Sequence, residues 1–490
     1  MAPDMAPPAI ASTPTRADNA VTMKTTKRPR KAATARGKAE GLTGFHIRAE
    51  RLAAGKALRQ RVSRESHGDW RPPPKDRDPV AILERSNRGR LPELVPIRYG
   101  RMVRTPFTFL RGSAGLMAYD LATLPSTGIK VQACGDCHLL NFGAFATPER
   151  NLVFDLNDFD ETLPAPWEWD LKRLVVSFLV AARDNRLPDD DGHRAVLACV
   201  RAYREHLREC SRQRPLEVWY QRLDAETLIK AAPGARERKF RQQIADRARQ
   251  RVIENLFPKI TGRAGGRHRL VDQPPILFHV AEPGFEQTVR YAMEDYRDSL
   301  SDERRVLLDR YRLEDYALKV VGIGSVGTRC YIGLLFSEDG HPLILQFKEA
   351  ARSVLEPYAG KSAYGNQGQR VVVGQRLMQS SSDIFLGWVR GRRGRDFYVR
   401  QLRDMKMSMP VDGFTAVQLG HYAQMCGWTL ARAHAKSGDA ATISGYLGKS
   451  DAFDRAMGSF ALAYADQTRK DHAALAKAIR SGRVEALSEA

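Results

Sequence analysis

The residues of this sequence that are best suited to chemistry lie in the segment GDCHLLNFG, residues 135–143. Asp136 and Asn141 are five positions apart, and His138 lies between them. Phosphoryl transfer requires a carboxylate near the acceptor hydroxyl, together with an amide oxygen and a second carboxylate that hold Mg²⁺ on the phosphates. The spacing places the first two groups on one short loop, and His138 is a further catalytic candidate on that loop.

A second group of carboxylates follows within about twenty residues. The segment FATPERNLVFDL predicts a β-hairpin, and NDFDE at residues 157–161 comes directly after it. Asp158 stands where a metal-binding carboxylate is expected, and Asp155 and Asp160 remain alternatives as metal ligands. Asp170 follows at the start of an apolar helical pattern. Each acid alone is also typical of a solvated turn or a helix N-cap, but their joint order favours a functional site.

The second constellation is a glycine-rich loop between two predicted strands. A G-x-G-x-x-G pattern alone is a weak signal, but here a strand follows it directly, which favours a flap over nucleotide phosphates rather than a dinucleotide fold. Lys348 lies on the third strand, 21 residues after the last glycine, and is the candidate for contacting the α- and β-phosphates. Glu356 is expected to be its ion-pair partner. The loop residues proposed to bind the nucleotide are Gly322, Gly324, Ser325 and Gly327.

The elements that must position these groups can be predicted from hydrophobic periodicity. Residues 101–170 suit strands and loops, and an α-rich region follows. A run of strands then forms one antiparallel sheet, and two helices close the chain. Helices are predicted at residues 171–183, 192–212, 236–256, 286–311, 414–435 and 451–480, and strands within 316–349, at 384–389 and at 396–402.

Five segments follow from this pattern. We expect a basic disordered tail, an N-terminal arm made of a helix and an extended stretch, an α-rich lobe with the catalytic and metal-binding loops, a sheet lobe that holds the nucleotide, and C-terminal helices that pack on the α-rich lobe. Their predicted bounds are 1–44, 45–100, 101–312, 313–410 and 411–490.

Composition sets the outer limits of the function. The chain of 490 residues is 43% hydrophobic and carries a formal charge of +21, part of which lies in the first 40 residues. A solvated basic face or attraction of an anionic substrate is favoured over nucleic-acid binding, because the basic stretches lack interleaved aromatic residues. The sequence lacks an apolar run of about 18 residues and a secretory signal, which predicts a cytoplasmic protein without a membrane partner. Cys134 and Cys137 form a C-x-x-C pair without a second such motif, so they are interpreted as residues that flank the loop.

The order GD-x-H-x-x-N, then a strand ending in DFD, then W-x-x-D-L at a helix start resembles the catalytic half of aminoglycoside and choline phosphotransferases and their protein-kinase relatives. The resemblance implies that Asp136 is the catalytic base, that Asn141 and Asp158 bind metal, and that Asp170 braces the loop. It implies ATP and Mg²⁺ as cofactors and an α+β fold with two lobes. Cys134 departs from the pattern, because the family usually has a histidine before the Gly-Asp pair.

The order of these motifs is reversed relative to kinases, which place the glycine loop and its lysine before the catalytic loop. One explanation is a circularly permuted fold, in which the helix at residues 414–435 leads in space into the catalytic loop. The alternative is normal order, with His434 and Asp439 in the catalytic loop. Permutation is favoured because Ser444, not asparagine, lies five residues after Asp439, and D-F-x does not follow.

The pattern from RTPFTFLRG to YADQTRKDH also resembles a bacterial family catalogued as domain of unknown function 2252, over most of residues 45–480. That likeness supplies no substrate. The sequence therefore predicts an ATP- and Mg²⁺-dependent phosphotransferase that acts on a small hydroxyl-bearing molecule. A catalytically inactive nucleotide-binding or scaffold protein is the first alternative, and a basic nucleic-acid-binding protein is the second. The acceptor and the oligomeric state stay open.

Overall fold

The structure is a computed structural model, and it describes residues 46–71, 77–280, 285–391, 393–402 and 404–487. The predicted tail at residues 1–44 lies outside the described residues. The chain is a mixed α+β protein with antiparallel sheets. Among the helices described, none is long and apolar enough to cross a bilayer.

Among the described residues, thirteen α-helices lie before residue 310, two lie between residues 356 and 378, and three lie after residue 415. In chain order they are α1 Arg48–Ala57, α2 Pro79–Ser86, α3 Val95–Met102, α4 Pro106–Gly112, α5 Ala114–Leu121, α6 Trp167–Asp184, α7 Asp189–Cys210, α8 Pro215–Tyr220, α9 Ala225–Lys230, α10 Ala235–Arg249, α11 Ile253–Ile260, α12 Phe285–Asp298, α13 Asp302–Leu308, α14 Glu356–Ala359, α15 Gln367–Met378, α16 Ala416–Ser437, α17 Ala440–Leu447 and α18 Ala452–Arg480.

The strands form four antiparallel sheets, whose orders are β12-β13-β11-β10-β9-β8, β14-β2-β3-β5, β1-β4 and β6-β7. Their bounds are β1 Lys130–Ala133, β2 Phe142–Ala146, β3 Leu152–Leu156, β4 Leu163–Pro166, β5 Leu223–Asp224, β6 Thr261–Ala264, β7 Arg267–Leu270, β8 Leu277–Phe278, β9 Tyr311–Lys319, β10 Cys330–Ser337, β11 Pro342–Glu349, β12 Gly387–Arg390, β13 Asp396–Gln401 and β14 Met407–Ser408.

The six-stranded sheet confirms the predicted antiparallel sheet and adds β8 at one edge. Successive side chains of β11 face opposite sides of the sheet. Leu343, Leu345 and Phe347 belong to a core cluster with residues of α12 and α13. The other face carries Ile344, Gln346 and Lys348, and it is this alternation that turns the lysine away from the apolar cluster.

The helical core is built on α6, α7, α16 and α18, whose buried residues belong to one hydrophobic cluster. Helix α6 is buried on nearly all sides, because sixteen of its eighteen residues are buried. Gly427 of α16 allows close contact with α7: a Cβ atom there would lie 2.2 Å from the carbonyl oxygen of Cys199. The predicted helices at 171–183, 192–212, 414–435 and 451–480 are confirmed within a few residues.

Two short ladders place the candidate loops side by side. Strands β1 and β4 pair with Ala133 opposite Leu163, and β2 and β3 pair with Phe142 opposite Leu156. The loop between β1 and β2 is the GDCHLLN segment, and the loop between β3 and β4 is NDFDE. Both loops connect the β1–β4 ladder with the β2–β3 ladder, so they lie next to each other at the facing ends of these two ladders.

The N-terminal region differs from its prediction. The arm at residues 45–100 was expected to be a helix followed by an extended stretch, and the start of segment 101–170 was expected to be strands and loops, but residues 79–121 contain four helices, α2 to α5. Pro79 and Pro106 occupy the first turns of α2 and α4, where proline is tolerated, so they begin helices rather than break them. Buried residues of these helices form a cluster with Leu475 of α18, so this region is part of the core.

Candidate active site

The backbone of the GDCHLLN loop is held by Asp170 at the start of α6. Its two carboxylate oxygens accept hydrogen bonds from the amides of Cys134 and Gly135, at 2.6 Å and 2.9 Å. Gly135 has a φ of +86°, and a Cβ atom there would lie 2.3 Å from the carbonyl oxygen of Glu161. Glycine is therefore required where the two loops touch. The Cys134 thiol also donates to the Asp158 carbonyl at 3.1 Å, so it too links the loops.

Asp136 faces the cleft and is held by a buried arginine. Arg173 Nε lies 2.5 Å from Asp136 Oδ1, and the same guanidinium donates to the carbonyl of Leu110 at 2.7 Å. The Asp136 side chain keeps 20% of its surface exposed. Sequence reasoning missed Arg173, although it lies on α6 one turn after Asp170, where both side chains reach the same loop.

Asn141 is oriented by the loop that it ends. Its amide nitrogen donates to the backbone carbonyl of Asp136. The amide oxygen is therefore the atom left for a metal ion. The residue is buried and lines the same cavity as Asp136.

Of the three aspartates considered as metal ligands, Asp158 and Asp160 of the NDFDE loop line the cleft, and Asp155 of β3 does not. Asp158 Oδ1 lies 3.8 Å from Lys348 Nζ, and Asp160 forms a closer ion pair with the same ammonium group. Asp160 also accepts hydrogen bonds from Tyr398 at 2.8 Å and Ser325 at 3.2 Å. Asp155 instead forms a fully buried ion pair with Arg432 at 2.6 Å, which gives it a structural position.

The charges of this cluster stabilise each other. Burial alone would lower the pKa of Lys348, but Asp158 and Asp160 raise it well above its usual value. Burial would raise the pKa of Asp158, and Lys348 and Arg400 more than offset that effect and lower it. Both groups are therefore charged near neutral pH. Burial, together with Arg400, lowers the pKa of Lys406 to about 7.

The glycine-rich loop lies over both carboxylate loops. A Cβ atom on Gly324 would lie 4.0 Å from Asp136 Oδ2 and 3.4 Å from the carbonyl oxygen of Arg111. Gly322 and Gly327 have positive φ angles of +68° and +86°, which favour glycine at these turns. The amide of Leu91 donates to the Gly327 carbonyl at 2.7 Å, so the N-terminal region also holds the loop.

One polar cavity of about 290 Å³ joins the two halves of the candidate site. Of the residues proposed from sequence, it is lined by Asp136, His138, Asn141, Asp158, Asp160, Gly322, Gly324 and Ser325. Lys348 reaches it through its ion pairs. Asp170 and Gly327 lie behind the lining and support it. Burial lowers the pKa of His138 to about 3, so its ring is neutral, and its Nδ1 atom has no hydrogen-bond partner among the described residues.

The predicted pairing of Lys348 with Glu356 is wrong. Glu356 begins α14, and the acids within 4 Å of the Lys348 ammonium group are Asp158 and Asp160. The prediction relied on proximity along the chain, whereas the ammonium group faces the NDFDE loop across the cleft. The next helix, α15, contributes Arg370 instead of an acid, and its guanidinium donates to the carbonyls of Thr162, Asp160 and Ala351 at 2.6–2.8 Å.

Sequence reasoning also missed several charged residues that line the cavity, namely Arg90, Arg98, Arg111, Glu161, Glu349 and Lys406. The three arginines come from α3, α4 and the turn before them, and although Arg111 lies in the segment RTPFTFLRG that resembles the bacterial family, that resemblance assigns it no role. Nothing in their spacing predicts a shared site, because they meet only through the packing of these helices against the core.

The donor set fits a hard cation that keeps part of its own coordination shell. Within the described ranges, no group of three or more His, Cys, Asp or Glu side chains is assembled to hold a metal ion. Asp158 and the amide oxygen of Asn141 offer two oxygen ligands on adjacent loops. Mg²⁺ is commonly bound through one or two protein oxygens, with water and substrate phosphates as the remaining ligands.

The comparison with protein families gives the chain its class. The sequence profile of one family, described as an uncharacterized protein conserved in bacteria (DUF2252), matches residues 90–478. Because the match covers well over half of the chain, the protein belongs to this family. It begins at Arg90 and therefore includes both carboxylate loops, the glycine-rich loop and Lys348. No curated protein matches the chain, and no solved structure matches it.

Proposed function

We propose that the protein is an ATP- and Mg²⁺-dependent phosphotransferase with a kinase-like, circularly permuted fold, acting on a small hydroxyl-bearing molecule. The observation that carries the proposal is the distance of 3.8 Å between Lys348 Nζ and Asp158 Oδ1, two atoms 190 positions apart in sequence. Chain proximity gives no reason for them to meet. A nucleotide whose phosphates contact the ammonium group and a metal held by the carboxylate does give one.

The surroundings of the pair support the same proposal. Asp136 and Asn141 lie on the next loop and line the same cavity, and the glycine-rich loop covers it. Asp170 binds the two amides that precede Asp136, which fixes the direction of that carboxylate. A catalytic base, a metal-binding pair, a phosphate-binding lysine and a flexible cover are the parts that phosphoryl transfer requires.

The contacts of α16 favour the permuted order. The amide of Gln132 in β1 donates to Ser437 Oγ at the end of α16, at 3.2 Å, although the two residues are 305 positions apart. Helix α16 therefore ends in space where the strand leading into the catalytic loop begins. Asp439 caps the N-terminus of α17 and pairs with Arg51 at 3.2 Å. That position gives it no role at the cleft, so the normal-order alternative lacks a base.

In the proposed reaction the hydroxyl oxygen of the acceptor attacks the γ-phosphorus of ATP, and the bond from that phosphorus to the β,γ-bridging oxygen breaks. ADP leaves, and the hydroxyl proton passes to Asp136 and then to solvent. Bound Mg²⁺ would neutralise charge on the phosphates, with Asp158 and Asn141 as its protein ligands. Arg173 orients the Asp136 carboxylate, and Lys348 would contact the phosphates.

One observation favours a catalytically inactive nucleotide-binding protein as the second candidate. Protein kinases pair the phosphate-binding lysine with a glutamate from a neighbouring helix. Here Lys348 pairs with Asp160 of the metal-binding loop, and α15, the helix of that neighbourhood, has no acid. The lysine would have to exchange this carboxylate for phosphate oxygens when nucleotide binds.

Thermal stabilisation by ATP tests the proposal. At ATP concentrations about 100 times Kd, binding stabilises the folded state by about 2.7 kcal/mol. We expect this effect with Mg²⁺ or Mn²⁺ and not with EDTA, because Asp158 and Asn141 reach the phosphates through the metal. Asp158→Asn should lose the metal-dependent part, whereas Asp339→Asn, an exposed acid in the β10–β11 turn, should keep it.

The outcomes separate the candidates. Equal stabilisation in EDTA would contradict the metal assignment, and absence of stabilisation with any metal would contradict the nucleotide site. Metal-dependent binding without ADP formation against pooled hydroxyl metabolites would favour the inactive nucleotide-binding protein.

A further inference from the structure

Three arginines line the cavity on the side of Asp136 that faces the N-terminal helices. Arg90 lies in the turn after α2, Arg98 in α3 and Arg111 in α4, and all three line the same cavity as Asp136 and the glycine-rich loop. Arg98 is almost completely buried, with 2% of its surface exposed. The proposed phosphotransfer mechanism gives none of these three side chains a role.

Within the described part of the chain, none of the three guanidinium groups has a carboxylate within ion-pair distance. Arg98 donates to Asn87 Oδ1 at 2.7 Å and to the Gly112 carbonyl at 2.5 Å, and its Nε atom is buried without a partner. Arg111 Nε is also buried without a partner. Arg90 donates to the carbonyls of Ser86 and Val326. Neutral acceptors therefore hold Arg90 and Arg98, and their charges are not neutralised.

The acids that line the cavity are engaged elsewhere. Asp136 pairs with Arg173, and Asp160 pairs with Lys348. Glu349 pairs with Arg329 at 3.4 Å and with Arg395 at 2.8 Å. Glu161 accepts a hydrogen bond from the amide of Val354 at 2.7 Å. Among the described residues, none of these acids forms an ion pair with the three arginines.

Uncompensated buried charge destabilises a fold, so a cluster of this kind has to be explained by what it binds. Burial lowers the pKa of Arg98 to about 9 and also lowers the pKa of Arg111. An anion with several acceptor oxygens would fill the free Nε–H groups and neutralise the charge. Guanidinium groups are well suited to phosphate and carboxylate, which accept two parallel hydrogen bonds.

We infer that Arg98 and Arg111, with Arg90, bind a phosphate or carboxylate group of the acceptor, so that the substrate is a hydroxyl compound that is itself anionic. This inference rests on the proposed phosphotransferase function and names its substrate class. Arg173 pairs with Asp136 and donates to the carbonyl of Leu110, the residue before Arg111, and Arg98 donates to the carbonyl of Gly112, the residue after it, so Arg98 and Arg111 lie beside Asp136. The arginines therefore belong to the side of the catalytic base, opposite the lysine that serves the nucleotide.

The same chemistry could come from the terminal phosphate of the nucleotide, and titration calorimetry can separate the two sources. The full chain is first saturated with Mg²⁺ and a non-hydrolysable ATP analogue, and inorganic phosphate or acetate is then titrated at constant ionic strength. Arg111→Met is the main variant, because the Arg111 side chain forms no hydrogen bond to any other described residue. Arg88→Met, at an exposed position two residues before Arg90, removes the same charge outside the cavity and is the control.

We expect saturable binding of one of the two anions to the nucleotide-loaded protein. Arg111→Met should weaken that binding about tenfold to a hundredfold, the range for losing a charge-assisted hydrogen bond. Arg88→Met should change it less than about threefold, and Arg111→Met should change analogue affinity less than about threefold. The anion that binds then shows whether the cluster selects phosphate or carboxylate.

Two results would overturn the inference. The first is competition between the anion and the ATP analogue together with equal loss of both affinities in Arg111→Met, which would assign the arginines to the nucleotide. The second is absence of anion binding, or binding that Arg111→Met does not change. Anion binding that depends on Arg111 in a protein that never binds the analogue would support the anion site and contradict the phosphotransferase function.

Discussion

Arg77 in the core and the arginines Arg98 and Arg111 at the cleft differ in how their charge is neutralised. Arg77 forms two-pronged ion pairs with Asp120 and Asp471, with all four hydrogen bonds at 2.7 Å, and Tyr464 donates to Asp120 as well. Among the described residues, neither Arg98 nor Arg111 at the cleft has an acid within ion-pair distance. Burial alone would lower the pKa of Arg77, but its hydrogen bonds to Asp471 and Asp120 raise it, whereas the pKa of Arg98 stays lowered.

The difference separates a structural cluster from a binding site. In the first, two carboxylates satisfy one guanidinium and connect the segment before α2 to α5 and α18. In the second, the buried Nε–H groups of Arg98 and Arg111 have no partner in the part of the chain that the structure describes, which is the pattern expected where a ligand supplies one. Mutation of Arg77 should therefore lower the free energy of unfolding, whereas mutation of the cleft arginines should weaken ligand binding.

The largest expected effect follows from breaking the neutralised cluster. Arg77→Met leaves Asp120 and Asp471 buried without their cation, and removing one partner of a buried ion pair destabilises by about 3–5 kcal/mol. Arg194→Met serves as the control, because Arg194 is 70% exposed and its pair with Asp191 should contribute at most about 1 kcal/mol. Urea unfolding of both variants measures the difference. A loss below about 1 kcal/mol for Arg77→Met would contradict the structural role.

The next effect concerns activity and not stability. Asp136→Asn should lower turnover by about a hundredfold or more and leave nucleotide affinity nearly unchanged, since loss of a general base acts on the transition state. The new amide oxygen can still accept from Arg173, which preserves the loop. Single-turnover kinetics and nucleotide titration measure the two quantities separately. A variant that binds ATP poorly but turns over normally would exclude this role for Asp136.

Local patterns in the sequence predicted the sheet and the helical core. Alternating apolar residues identified β9 to β11, and helical periodicity identified α6, α7, α16 and α18 within a few residues. The meeting of Lys348 with Asp158 could also be anticipated, but from chemistry and not from the pattern, because only a shared ligand connects residues so far apart.

The cleft arginines could not be predicted in the same way. Arg98 and Arg111 lie in helices, but the proline and glycine residues of these segments led to the prediction of an extended arm and loops. The burial of both arginines depends on the packing of α3 and α4 against α18 and α6. Glu356 failed as a partner of Lys348 for the converse reason, since closeness in the chain says little about which groups cross a cleft. Charge compensation is a tertiary property, and it becomes visible only when both partners have been placed.

A smaller effect is expected from Glu161, whose carboxyl group lies at the cleft. Burial raises its pKa from the ordinary 4.5 to about 7, so the folded protein binds more protons than the unfolded chain between those pH values. The free energy of unfolding should therefore fall, by at most about 3 kcal/mol, as pH rises from about 4.5 to 7, and then level off.

Glu161→Gln should flatten that part of the stability profile, because glutamine can still accept the hydrogen bond from Val354 and does not ionise. Urea midpoints at pH 5, 6, 7 and 8 measure the slope in both proteins. An unchanged slope in the variant would show that Glu161 does not titrate in this window.

The smallest effect on the free energy of unfolding should come from mutation of Arg111 at the cleft. The sign of that change decides whether Arg111 differs from Arg77. Arg111→Met removes a partly buried charge that has no carboxylate partner in the described chain, and methionine fills a similar volume without requiring hydrogen bonds. The free energy of unfolding should stay within about 0.5 kcal/mol of the wild type or rise by up to about 1 kcal/mol. Replacing an unpaired functional charge by an apolar side chain removes the cost of burying that charge. Urea unfolding at low ionic strength, without phosphate or nucleotide, measures this change in the free energy of unfolding.

Arg111→Lys provides the second measurement. Because it keeps the charge, it should show no gain in stability. A loss of 2 kcal/mol or more in Arg111→Met would show that this arginine supports the fold as Arg77 does, and the distinction between the two clusters would then fail.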